Sequence, residues 1–340
     1  MSKQKRIEWV DVVKGMLVPL IVLGHTSESP QLICLVYSFH MPLFFILSGY
    51  TARRPKDLRS YGRHILKSFI RLMLPSIGVL VFIACMEYWR KMGGLVLPVP
   101  WHRISGCFYR FYWGCAWGWS GGVPSVGMLW FFITMFWSKL IWEGIGLLFP
   151  KGDYALCFLL AVAGILYGPD HFIPQNLDIA CAVLVYYSIG ELWAKADREL
   201  DYQRFKPLLF FAAAAFWMHA MDDWDYVELA VKSYPGFITG ILASICASYL
   251  FCALGEELSK RETLKKFFSF FGRHTLLIVY IHHCDSLLEN IWRKDLWIQS
   301  FFIRLLIVIS LSLLIILIQE LIKRCVGHIK RSKETSTGTA

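Results

Sequence analysis

The sequence predicts an all-α protein: a polytopic membrane helix bundle of about ten transmembrane helices, with the N- and C-termini cytoplasmic. Three observations carry that prediction. Hydrophobic residues make up 56% of the 340-residue chain and charged ones only 18%, against about 45–50% and about 25% in an ordinary soluble domain. The apolar residues gather in runs close to the ~20 residues that a helix needs to cross a ~30 Å hydrocarbon core. Lys and Arg lie asymmetrically about those runs. The 25 Phe, 14 Trp and 15 Tyr sit mostly near run ends, as an interfacial aromatic belt would.

Ten candidate spans follow in order: 9–26, 32–50, 66–86, 125–142, 153–168, 177–194, 207–221, 236–254, 270–289 and 300–322. The basic segment MSKQKRIEW precedes the first. No small-residue cleavage site follows that run, so it reads as a retained span rather than a signal peptide. With the N-terminus inside and the spans alternating, 25 of the 35 Lys and Arg fall on the inner side or at inner span ends, 7 on the outer side, and Lys14, Arg71 and Arg304 lie deeper within spans. An odd number of spans would split this bias, so an even number with both termini inside fits. Residues 1–330 then form one transmembrane domain and the polar residues 331–340 a disordered tail. The net charge of +10 is explained by this inner-face bias, without a nucleic-acid partner.

Ten cysteines are present, with no CxxC pair. Cys34, Cys85, Cys157, Cys181, Cys246 and Cys252 lie inside apolar runs, where cysteine behaves as a small hydrophobe. Cys107 and Cys115 share one outer segment, where a disulfide can form. That segment, 87–124, is dense in Trp and Gly and includes Trp119. It reads either as an interfacial belt with a re-entrant turn or as an aromatic platform on which sugar rings stack.

Ionisable groups inside apolar runs are costly enough to mark candidate sites. Lys14 and His25 are eleven residues apart. At 100° per residue they share a helix face and lie roughly 16 Å apart along the axis. Asp11 is three residues before Lys14 and can pair with it, or Lys14 can snorkel to the interface. Glu28 follows His25 and either orients the imidazole or is an exposed loop carboxylate. His40 falls well inside the second run, as a packing residue or part of a site. Arg71 lies deeper than the basic run before it, which makes it a better phosphate ligand than its neighbours. His282 and His283 are adjacent and so face different sides of a helix. With no second ligand at i+4, they make no metal site.

Read together, WVDVVKGMLVPLIVLGH, FHMPLFFILSGY, RLMLP, LWFFITMFW, YYSIGELWA and FFGRHTLLIVYIHH closely resemble the acyltransferase 3 family of integral membrane acyltransferases, especially its fucose 4-O-acetylase-like branch. The resemblance implies an enzyme that moves an acyl group from cytoplasmic acetyl-CoA, or another short acyl-CoA, to a hydroxyl of a cell-surface or lipid-linked glycan, with no metal. It implies a multi-pass protein of the cell's inner (plasma) membrane. It places the family's basic residue at Lys14, where many members have Arg, its histidine at His25 and its cytoplasmic-side arginine at Arg71. On this reading His25 and Glu28 are catalytic, Lys14, Arg71 and Asp11 bind acyl-CoA, and His40 and Trp119 meet the acceptor. A transporter or flippase of a glycan or small molecule is the competing class, but the chain shows no repeat pairing its two halves. Whether it forms a homo-oligomer is left open.

Overall fold

The computed structural model describes residues 7–118, 122–221, 225–291 and 295–337. Among these it holds helices and turns, and its only β pairing is a lone bridge between Glu228 and Ser233. Fifteen α-helices are described: α1 Glu8–Gly24, α2 Pro30–Tyr37, α3 His40–Thr51, α4 Leu58–Ser68, α5 Leu74–Met92, α6 Trp101–Trp113, α7 Trp130–Leu148, α8 Asp153–Tyr167, α9 Leu177–Ala182, α10 Leu184–Glu199, α11 Lys206–Ala220, α12 Ile238–Ser259, α13 Glu262–Arg273, α14 Thr275–Cys284 and α15 Trp297–Thr337. All ten apolar runs of the sequence fall on helix. Among the described residues, five helical stretches are long and apolar enough to cross a membrane alone, and α9 with α10, bent by 45°, would make a sixth.

The structure adds helix where the hydropathy pattern shows only loops. The basic stretch before Arg71 is α4, which opens on a capping box: the Asp57 carboxylate accepts from the Ser60 N–H, and the Ser60 hydroxyl answers the Asp57 N–H. Such reciprocal capping satisfies two orphan donors at a helix start. The segment 87–124 holds α6, which ends at Gly114 in the left-handed conformation that a residue without Cβ adopts readily. Cys107 and Cys115 are both buried as free thiols. Trp119 lies outside the described residues, as do 338–340 of the polar tail.

Two apolar runs are broken by local chemistry. The second divides at Ser38 and Phe39. Pro42 lies in the first turn of α3, where a missing N–H is harmless, but it could not continue α2. The His40 ring then takes the Val36 carbonyl through Nδ1, at 2.9 Å. The ninth divides at His274, whose Nδ1 bonds the Phe270 carbonyl while the Thr275 hydroxyl bonds the Gly272 carbonyl.

Close helix contact runs through small residues, as expected where lipid removes the hydrophobic drive between helices. A Cβ at Gly15 of α1 would overlap the Phe268 carbonyl of α13, and one at Gly272 of α13 would overlap the Asp11 carbonyl of α1. Gly49 and Gly190 form the same reciprocal contact between α3 and α10. The core between these pairs is aromatic and aliphatic, with Phe45, Phe132, Trp142, Tyr186 and Tyr187 among its largest fully buried side chains.

Gly272→Ala should therefore force α1 and α13 apart. Overpacking of this kind costs about 1–3 kcal/mol or more. Thermal unfolding of the detergent-purified protein should show a clearly lowered midpoint, whereas Gly62→Ala, with nothing within 4 Å of its added carbon, should melt as the parent does. Equal midpoints for the two variants would refute this account of the crossing.

Candidate functional site

The end of α1 gathers an unusual number of imidazoles. His25 is the C-cap of that helix and remains exposed. Its Nδ1 is 3.4 Å from the Tyr37 hydroxyl, and that hydroxyl donates to the Gly24 carbonyl at 3.2 Å. The phenol proton is thus engaged, so the His25 contact uses an Nδ1–H and leaves Nε2 as the lone pair. Tyr37 reaches this position because α2 ends with it. Its ring lies 4.9 Å from His40 and 5.9 Å from Tyr226 of the 225–237 segment. His25 and His40 line one narrow hollow with Ile21, Met41, Phe44, Met128, Trp130, Phe131 and Val279.

A second histidine approaches from α14. The His282 ring centre is 5.5 Å from that of His25, and the side chain is 1% exposed. Its Nδ1 lies 2.8 Å from the Asp285 carboxylate. Arg304 of α15 grips the same carboxylate with Nε at 3.0 Å and Nη2 at 2.9 Å. Nη1 of Arg304 reaches the His25 carbonyl at 3.1 Å and the Thr26 hydroxyl at 3.2 Å. A buried charge needs such pairing, because isolated ions in a low-dielectric interior are penalised by several kcal/mol. His283 faces the other way, against Gly127.

The segment beside the hollow is anchored by a buried ion pair. Lys232 meets the Asp178 carboxylate, with side chains 2% and 0% exposed. Its Nζ also donates to the His171 carbonyl at 2.7 Å and lies over the Phe172 ring. Tyr226 donates to Glu228 at 3.3 Å. Burial pushes the Glu228 carboxyl up and the Tyr226 phenol up to about 12, so the phenol keeps its proton near neutrality.

Of the residues predicted from sequence, His25 and His40 come together. Glu28 is exposed, and the carboxylate paired with an imidazole here is Asp285. Lys14 is half-buried on α1, and Asp11 is half-buried with its carbonyl against Gly272. Arg71 is exposed in a π-helical turn, Phe69–Met73, within electrostatic reach of Tyr280. The Tyr280 hydroxyl donates to the Leu72 carbonyl in that turn at 2.8 Å, and such turns are frequent at functional sites. Lys14, Asp11, Glu28 and Arg71 do not line the hollow at His25. The sequence reading did not assign His282, Asp285 or Arg304. The i, i+3 spacing of the first two and an Arg inside the last apolar run are the signals that point to them. Among the described residues, no group of His, Cys, Asp or Glu is arranged to hold a metal ion.

An all-helical protein with several membrane-capable helices and a histidine-lined hollow at one helix end fits a membrane transferase. The chain belongs to the acyltransferase family whose model, described as an acyltransferase domain, matches residues 7–319. Two curated relatives are both nodulation protein NolL. The one from Sinorhizobium fredii is 34% identical over 79 residues, 20% of this chain and 21% of its own length. The one from Mesorhizobium japonicum is 26% identical over 101 residues, 26% of each. The matched part thus spans about a fifth to a quarter of those relatives. No solved structure matches the chain.

Removing one partner of the Lys232–Asp178 pair should cost about 3–5 kcal/mol, since it strands a buried charge. Lys232→Met should unfold at markedly lower temperature than the parent, and the double variant Lys232→Met with Asp178→Asn should recover part of the loss. A double variant less stable than Lys232→Met would overturn the pairing argument.

Proposed function

We propose that this protein is an integral membrane O-acyltransferase, moving an acetyl or other short acyl group from cytoplasmic acyl-CoA to a hydroxyl of a cell-surface or lipid-linked glycan. The reading rests on one combination: a family match along nearly the whole chain, and a histidine-lined hollow at the end of its first helix. The resemblance to the fucose 4-O-acetylase-like branch favours a sugar acceptor. The ten helical runs, with their basic residues on one side, are read as ten spans of the plasma membrane with both termini in the cytoplasm.

In this scheme the acceptor hydroxyl enters beside His25. Its oxygen attacks the thioester carbonyl, and its proton passes to the His25 Nε2 lone pair. The C–S bond then breaks, and the thiolate takes that proton to leave as free CoA thiol. Tyr37 fixes the His25 ring, since a base acts best when another group sets its tautomer. His40 holds its Nδ1 proton on Val36 and so offers Nε2 to the hollow as an acceptor for a sugar hydroxyl. Arg71 and Lys14, with Asp11 beside it, are assigned to the CoA phosphates. The hollow is narrow, about 40 Å³, so it admits the acyl tip and an attacking hydroxyl rather than the whole donor.

Membranes supplied with labelled acetyl-CoA and a panel of glycans should yield an O-acetylated product, and His25→Ala should abolish it at unchanged protein abundance. Full activity in that variant would overturn the role of His25. Arg71→Ala should raise the KM for acetyl-CoA by about tenfold, on the scale of one charge-assisted contact. An unchanged KM would remove Arg71 from the donor site.

A further inference from the structure

His282 is buried and held by a carboxylate at one ring nitrogen, and the reaction scheme above does not use it. Its Nδ1 faces a carboxylate, which has no proton to give near neutrality, so Nδ1 carries the hydrogen and Nε2 carries the lone pair. That Nε2 is buried and has no hydrogen-bond partner among the described residues. An unsatisfied buried acceptor is disfavoured, and a role in catalysis is one physical reason for a native fold to retain one. The imidazole faced by His282 is His25, with ring centres 5.5 Å apart. The Nε2 of His25 is also a lone pair while its Nδ1–H is held at Tyr37. Two facing acceptors cannot bond each other. They can do so once a proton arrives on either.

We propose that His282 is the positioning partner of His25 in acyl transfer, accepting a hydrogen bond at Nε2 from the His25 imidazolium formed when the acceptor hydroxyl loses its proton. This rests on the acyltransferase reading given above. The O–H bond breaks as the O–C bond forms, and the proton comes to His25 Nε2. The N–H so created is the donor that the facing His282 lone pair would take, across rings whose centres are 5.5 Å apart. Asp285 holds the far nitrogen of His282 and supports the charge through it. The proton leaves again with the thiolate as the C–S bond breaks, so His282 gains and loses nothing over the cycle. Arg304 fixes both ends of this arrangement. Its fork holds the Asp285 carboxylate, and its remaining amine holds the His25 carbonyl and the Thr26 hydroxyl. The interaction exists only after proton transfer, so it lowers the barrier without tightening donor binding, and its loss falls on kcat.

The experiment is steady-state acetyl transfer from labelled acetyl-CoA by the full-length protein in membranes, using the best acceptor of the glycan panel, with each variant matched for abundance. His282→Leu fills similar space without an acceptor. It should lose about 10²-fold in kcat, the scale of one transition-state hydrogen bond, while the KM for acetyl-CoA stays within about twofold. His282→Gln restores an acceptor oxygen and should be at least tenfold faster than the Leu variant. Asp285→Asn keeps the shape and removes the charge, and should lose at least tenfold in kcat; it tests the proposal even if the Leu variant does not accumulate. A merely structural His282 predicts the opposite order, because a buried apolar Leu would then be the better tolerated replacement. Leu equal to or faster than Gln would overturn the proposal, as would unchanged kcat in Asp285→Asn. Wild-type transfer that His25→Ala abolishes would leave the acyltransferase reading standing even then, whereas no transfer by the wild type would remove both.

Discussion

The Asp285 carboxylate is the constraint on which the site depends. It sits at the end of α14, 4% exposed, and takes a two-armed grip from Arg304 together with the ring of His282. An arginine fork on a carboxylate fixes direction as well as distance, so α15 is set relative to α14. The same guanidinium reaches the α1 carbonyl at His25. Three helices distant in sequence are therefore registered at one point. Without that charge pair the half-buried Arg304 would lose its carboxylate partner, and α14 would lose its tie to α1 through this guanidinium.

Helix breaks do the remaining placement. His40 is turned toward His25 because α2 ends before Phe39, and the first-turn Pro42 allows α3 to start there. The Val36 carbonyl freed by the break is taken by the His40 ring itself. Tyr37 belongs to the same break and reaches back to the last carbonyl of α1. In a membrane every exposed backbone group must find a partner inside the protein, so side chains that complete broken helices are doubly committed. Here both satisfy the backbone, and His40 also lines the hollow.

The reciprocal glycine contacts serve the same end. Gly15 and Gly272 let the backbones of α1 and α13 approach closely, which fixes the half of α1 that carries Asp11 and Lys14. Arg304 fixes the other half. Lys14 and His25 thus sit, roughly three turns apart, on a helix held at both ends.

Much of this was legible beforehand, because hydrophobic length and charge bias are summed over many residues and survive local error. The helical runs, the placing of His25 at the end of the first of them and the family motifs all rest on such sums or on short contiguous patterns. The capping box at Asp57 and the break at Pro42 were also written locally, though a hydropathy pattern passes over them. Glu28 illustrates what is not written there: it follows His25 in the chain, while the carboxylate that reaches the cluster comes from Asp285. The sequence by itself determined that apolar helices form and which of them carry ionisable groups, because periodicity and burial energy act along the chain. Only the tertiary structure decided that His25, His282, Asp285 and Arg304 meet, because that depends on how α1, α14 and α15 cross, and crossing is set by contacts between residues hundreds of positions apart.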